Sequence, residues 1–251
     1  MKDIDPLHEQ PLPGGFVTDV VRAGNTVRRS PPANAGFVHE LLALFEQHGW
    51  DGAPRFLGTD ERGREVLSYI EGAAAWDPAR LPSVTSDASL ARLARLVREF
   101  HDLTTGTPLA SGGEAVCHND LSPKNTVYRD GGAGLVPVAF IDWDIAAPGD
   151  RIHDVAHVCW QYLDLGPGVA DPVAASSRMR LICDAYGLRE RDALVPAVLW
   201  WQDRCWHGIE AAAADGDPAM TRLRDSGAAR SVRAAHAWVA THQAALTTHL
   251  G

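Results

Sequence analysis

From about residue 86 onward, apolar side chains recur at helical spacing nearly to the C-terminus, and one segment, residues 114 to 150, breaks that pattern and reads as strand and loop. A helical scaffold interrupted once by a polar-rich strand segment places the chemistry in the interruption. Each strand-like run there ends in, or leads out of, a polar cluster: Val116-Cys117-His118-Asn119-Asp120, then Asn125-Thr126-Val127-Tyr128, then Phe140-Ile141-Asp142-Trp143-Asp144. Polar groups wedged among such neighbours are costly to bury unless they are paired or hold a cation.

The first 72 residues have a different rhythm. Short β-prone runs, Phe16–Val21 and Asn25–Arg29, flank the turn Ala23-Gly24-Asn25, and 54–59 with 64–70 flank Asp60-Glu61-Arg62-Gly63. Between these hairpins, Val38, Leu41, Leu42, Leu44 and Phe45 share one face of a helix that stops at Gly49. An Ala, Pro and Ser stretch through Ser86 reads as a linker. Ser86 or Asp87 caps the next helix, and further helices are expected from about 154 to 165, 172 to 186, 189 to 214 and 218 to 250, with Pro196 and Gly227 kinking or splitting the last two. The expected fold is α+β, with a small β-rich N-terminal lobe over 1–72 and a larger, mainly helical C-terminal lobe over 73–251.

Composition narrows the function classes. Lys and Arg total 23 against 32 Asp and Glu, a net charge of −9, so the wide positive field that gathers a nucleic acid polymer or an anionic membrane is absent. The cysteines Cys117, Cys159, Cys183 and Cys205 form no C-x-x-C pair and read as thiols in a reducing compartment. The acidic start with its proline is unlike a signal peptide, and charge or proline cuts every apolar run short of a bilayer span, so a cytoplasmic location is expected.

Asp120, Asn125 and Asp142 offer two carboxylates and an amide oxygen, a hard-oxygen set suited to Mg²⁺ with phosphate and water completing its shell. In kinase catalytic loops the Asp that orients the acceptor hydroxyl precedes a metal-binding Asn by five positions, and Asp120 precedes Asn125 by the same interval. An isolated H-x-D is ordinarily a capped turn around a buried histidine; joined to Asn125 and a strand ending in Asp142, it reads as a site.

The pattern from His118 to Asn125 followed by Ile141 to Asp144 resembles that of the aminoglycoside phosphotransferase and choline kinase family, the small-molecule branch of the protein-kinase-like fold. The resemblance implies a two-lobed kinase-like fold and transfer of the γ-phosphoryl group of ATP or GTP to a hydroxyl of a small molecule, possible acceptors including aminoglycosides and other antibiotics. It makes Asp120 the catalytic base and Asn125 and Asp142 the Mg²⁺ ligands. His118, Asp150 and Asp154 become supports of the catalytic loop. Gly14 and Gly15 resemble the phosphate-covering loop, and Ser68 and Ile70 lie in the segment resembling the adenine-binding hinge.

Strand alternation sends Arg28 and Arg29 to opposite faces and leaves open which of the two enters the cleft; the resemblance to the family's third-strand position favours Arg28 as the phosphate cation, with Glu40 or His39 at the helix turn that normally supplies its acid partner. Acceptor specificity is expected from the helical lobe, where Asp203, Glu210 and Trp160 are the candidates, although tryptophans at helical spacing more often build core. The rival reading is a kinase-shaped immunity protein that sequesters a toxin or antibiotic without chemistry.

Overall fold

The computed structural model describes residues 9–12, 20–75, 81–132 and 134–251. Gly14 and Gly15 lie outside the described residues. The chain forms two compact units, one of Met1–Val84 with Glu99–Gly149, the other of Thr85–Arg98 with Asp150–Gly251. The lobes expected from sequence, 1–72 and 73–251, partition the same chain differently. The fold is mixed α+β, as expected.

In the first unit, strands β1 (Gln10–Pro11), β2 (Val21–Ala23), β3 (Thr26–Arg29), β4 (Phe56–Thr59) and β5 (Glu65–Ser68) form an antiparallel sheet ordered β1-β2-β3-β5-β4. The β2–β3 and β4–β5 turns carry Gly24 (φ 61°) and Gly63 (φ 75°), positive values that glycine adopts at little cost. Helix α1 (Ala35–Gln47) buries Val38, Leu41, Leu42 and Phe45, the stripe its periodicity marks, and ends at His48 with Gly49 in the left-handed region (φ 64°).

The expected linker holds structure instead. Ala73–Ala74 form β6, which pairs with β8 (Thr126–Asp130), itself paired with β9 (Leu135–Phe140). A two-residue strand is recruited by backbone hydrogen bonds, which leave no trace in side-chain patterning. Gly72 permits this docking: its φ is 149°, and a Cβ there would lie 2.5 Å from Val127 Cγ1 and 2.6 Å from the Tyr128 carbonyl oxygen. Gly72→Ala is expected to cost about 1–3 kcal/mol, the usual range for forced overpacking, measured as a lower urea midpoint at unchanged slope; an unchanged midpoint would show that the close approach is not needed.

The remaining strands, β7 (Ala115–Cys117) and β10 (Ala147–Gly149), pair antiparallel and bracket the candidate chemistry. Beneath lies an aromatic core of Phe45, Trp50, Phe100, Phe140 and Trp143, with Trp143 5.2 Å from Phe45 and 5.1 Å from Phe100 by ring centroids. Trp143 is 1% exposed.

Helix α2 is Leu81–Val84, and α3 (Asp87–Thr104) starts with the Ser86 side chain accepting from the Ser89 N–H, as its capping role requires. In the second unit, α4 (Arg151–Leu163), α5 (Pro172–Tyr186), α6 (Leu194–Ala214), α7 (Pro218–Asp225), α8 (Ala228–Thr241) and α9 (Gln243–Thr247) follow. Asp171 caps α5 by accepting from Val173 and Ala174, and Gly227 (φ 89°) separates α7 from α8. Pro196 corrects an expectation: it sits in the first turn of α6, where its missing N–H costs nothing, so it marks a start and not a kink. Among the described residues all four cysteines are free thiols, and no helix is long and apolar enough to cross a membrane.

Candidate active site

Strand β7 is fully buried and delivers His118, also buried, to the start of the loop. The His118 ring is held at both nitrogens. Nδ1 receives the Asp120 backbone N–H at 3.3 Å, and Nε2 lies 3.1 Å from the Ile141 carbonyl oxygen. One neutral tautomer serves both, with Nδ1 accepting and Nε2 donating. His118 thus ties the start of one polar cluster to the start of the other. Asn119 between them has φ 65°, a conformation that glycine and asparagine tolerate best, and its Nδ2 donates to the Ile145 carbonyl at 2.9 Å.

The half-buried Asp120 carboxylate accepts from Asn125 Nδ2 at 2.7 Å, and the same nitrogen donates to the Asp120 carbonyl at 2.9 Å. A 3₁₀ turn, Pro123–Asn125, folds the asparagine back over the five-residue interval. The Ile141 N–H donates to the Asn125 carbonyl at 2.9 Å, so the strand carrying Asp142 ends beside Asn125. Asp142 follows with φ 67°, a strained value for a residue with a side chain. Trp143 turns into the aromatic core while Asp142 and Asp144 face outward, 44% and 34% exposed at their side chains.

The cation at this site is Arg29, which corrects the choice of Arg28. Arg29 Nη1 donates to Asp142 Oδ1 at 3.1 Å, Nη2 donates to Asp144 Oδ1, and Nε donates to Glu65 Oε1 at 2.5 Å. Arg28 points away, toward Glu9 at 3.7 Å and Asp60 at 4.0 Å. Strand parity decides this: Arg29 lies directly opposite Glu65 and Arg28 opposite Val66, so Arg29 and Glu65 share the face that looks toward Asp142. The acid is not on the helix. Glu40 is exposed, and His39 occupies the relevant turn, with Nε2 3.0 Å from Glu65 Oε2.

Burial raises the Asp144 carboxyl to about 6, aided by the negative charges of Asp142 and Glu65 and opposed by Arg29. Burial works against the Arg29 charge, but Asp144 and Glu65 outweigh it and push its pKa up. Glu65, Asp142 and Asp144 outnumber the one guanidinium they share, and Asp120 joins the same loop system. Both side-chain hydrogen bonds from Asn125 to Asp120 use Nδ2, so the amide oxygen Oδ1 is spent on neither. Excess negative charge with carboxylate and amide oxygens fits a hard divalent cation such as Mg²⁺.

The other sequence candidates lie elsewhere. Ser68 ends β5, its Oγ accepting from the Arg55 N–H at 2.8 Å, and Ile70 lies half-buried two residues on. In the second unit Asp150 is the N-cap residue of α4 and Asp154 is buried in its first turn. Trp160 is buried on α4 against His157, which makes it core; Asp203 and Glu210 lie on α6, Asp203 paired with His207 at 3.2 Å. The residues that sequence reasoning missed are Glu65 and Asp144 as partners of an arginine far away in sequence. Two strands with acids and bases at matching parity were the signal available for Glu65.

A family model described as the phosphotransferase enzyme family matches residues 107–194. The trifolitoxin immunity protein of Rhizobium leguminosarum bv. trifolii is 32% identical over 203 residues, 72% of this chain and 74% of that protein. A choline/ethanolamine kinase family protein from Mesorhizobium loti shares the fold with a TM-score of 0.58 at 20% identity, over 96% of this chain and 92% of that one. The GDP complex of aminoglycoside 2'-phosphotransferase-IIIa shares it with a TM-score of 0.62 at 14% identity, over 94% of both chains. With the catalytic-loop spacing, the downstream Asp142 and these likenesses together, the chain belongs to the phosphotransferase enzyme family, the protein-kinase-like small-molecule kinases that include the aminoglycoside phosphotransferases and the choline and ethanolamine kinases.

Proposed function

We propose that this protein transfers the γ-phosphoryl group of ATP or GTP to a hydroxyl group of a small molecule. The observation that carries the reading is the single connected array in which Asn125 bonds to the Asp120 carboxylate, its backbone meets the strand ending in Asp142, and Arg29 lies on Asp142. Asp120 aligns the acceptor hydroxyl. The bond that forms joins the acceptor oxygen to the γ-phosphorus, the bond that breaks is the one from that phosphorus to the β–γ bridging oxygen, and the nucleoside diphosphate leaves. The hydroxyl proton passes to the Asp120 carboxylate. A carboxylate is a weak base at neutral pH, so alignment is its larger contribution.

Asn125 and Asp142 would hold Mg²⁺, which when bound neutralises phosphate charge. Arg29 adds a fixed positive charge beside Asp142 and Asp144 and stands ready to bind a phosphate oxygen. The end of β5, with Ser68 and then Ile70, would offer backbone groups to the base. A cytoplasmic location, where nucleoside triphosphate is supplied, accompanies this reading, and an antibiotic is the acceptor class that its relatives suggest.

A second reading is favoured by one observation, the name of the immunity protein that is 32% identical: the chain protects against a toxin by holding it. The two separate experimentally. Protection by phosphorylation is catalytic and is lost with Asp120→Asn, whereas sequestration is stoichiometric and survives it. The screening test is nucleotide consumption with Mg²⁺ over hydroxylated antibiotics and metabolites. An acceptor heavier by one phosphoryl group is the expected product; the absence of nucleotide consumption with every acceptor in the panel, together with stoichiometric protection, would favour the second reading.

A further inference from the structure

The mechanism uses Arg29 but leaves Glu65 and His39 without a role. Glu65 is 1% exposed and placed by the ladder register directly across from Arg29. Its two carboxylate oxygens are divided: Oε1 accepts from Arg29 Nε at 2.5 Å, and Oε2 lies 3.0 Å from His39 Nε2. The His39 ring is itself fixed, stacked on Phe56 with centroids 3.6 Å apart and planes 16° from parallel. Elements α1, β4, β5 and β3 thus meet in one line that ends at the two guanidinium nitrogens on Asp142 and Asp144.

We propose that Glu65 and His39 are positioning residues for Arg29, so that α1 acts on the phosphate and metal site through an imidazole holding a strand carboxylate. Kinases of the protein-phosphorylating class use an acid on the helix itself, which pairs directly with the strand cation. Here the helix acid Glu40 is exposed and the carboxylate is part of the sheet. A sheet carboxylate cannot swing away with the helix. What α1 controls is its rotation, because a terminal carboxylate torsion is broad and settles only when both oxygens are held. Without His39, Oε2 loses its partner in a place nearly closed to water, the carboxylate turns, and Arg29 is re-aimed away from Asp142 and Asp144.

The proposal rests on the phosphotransferase reading only for what Arg29 does once aimed. Its test therefore has two readouts on the full-length protein: the exchange rate of the Arg29 Nε–H by ¹⁵N NMR, and the affinity for Mg·ATP by calorimetry. His39→Ala is expected to speed Nε–H exchange and to weaken Mg·ATP binding about tenfold, the lower end of what loss of an orienting partner costs. His39→Gln, whose amide can donate to Glu65 Oε2, is expected to restore most of both. Glu65→Gln, which keeps the volume and removes the charge, is expected to speed the exchange further.

Wild-type exchange in His39→Ala, or a His39→Gln variant as impaired as His39→Ala, would overturn the proposal, the latter because His39 would then serve only to pack on Phe56. A wild-type protein that binds neither Mg·ATP nor Mg·GTP, while His39→Ala still speeds Nε–H exchange, would overturn the phosphotransferase reading and uphold the positioning.

Discussion

Replacing Asp120 with alanine is expected to lower phosphoryl transfer by about 10²–10⁴-fold, the range a positioned acid–base group contributes, while Mg·nucleotide binding stays nearly unchanged. The separation follows from where Asp120 sits. Its carboxylate touches Asn125 Nδ2, and its backbone N–H is held by His118, so the loop keeps its course when the carboxylate is removed. Asp142, Asp144 and Arg29 come from other strands and loops and are untouched. Nucleoside diphosphate release in a coupled assay, beside calorimetry with a nonhydrolysable nucleotide, reads the two effects separately. Near-normal turnover in the variant would remove Asp120 from the reaction.

Trp143→Ala is expected to cost about 3–5 kcal/mol of stability, the usual range for truncating a buried large aromatic. Trp143 lies between the two outward-facing acids and packs against Phe45, Trp50, Phe100, His118 and Phe140. Its Nε1 donates to the Phe140 carbonyl at 3.1 Å, which fixes the turn that gives Asp142 its left-handed backbone. The same substitution therefore unseats Asp142, and nucleotide affinity falls with stability. Urea unfolding checks the first effect. A loss under about 1 kcal/mol, the level of an ordinary point mutation, would mean that this aromatic cluster is not what holds the site.

The grouping of Asp120, Asn125 and Asp142 was legible because it is local. The interval from Asp120 to Asn125 is set by one turn, and the apolar run into Asp142 by one strand, so spacing alone brings these candidates forward. Helix stripes such as Val38, Leu41, Leu42 and Phe45 were legible for the same reason. The choice between Arg28 and Arg29 was not. Adjacent strand residues exchange faces, and which face is inner depends on the pairing of β3 with β5, a contact between residues 36 apart in sequence for Arg29 and Glu65. His39 was visible as a candidate, but its partner is a strand acid that no helical pattern reveals. Strand β6 was read as linker because two alanines carry no β signal and owe their state to a neighbour.

The central claim is that Asn125 and Asp142, from two separate stretches of chain, hold one divalent ion beside Asp120. Mn²⁺ serves as the spectroscopic stand-in for Mg²⁺, and its binding to the full-length protein with a nonhydrolysable ATP analogue can be followed by electron paramagnetic resonance. The account expects one nucleotide-dependent Mn²⁺ site, weakened by both Asp142→Asn and Asn125→Ala and unaffected by Asp203→Asn. Wild-type Mn²⁺ affinity in Asp142→Asn and Asn125→Ala would contradict it.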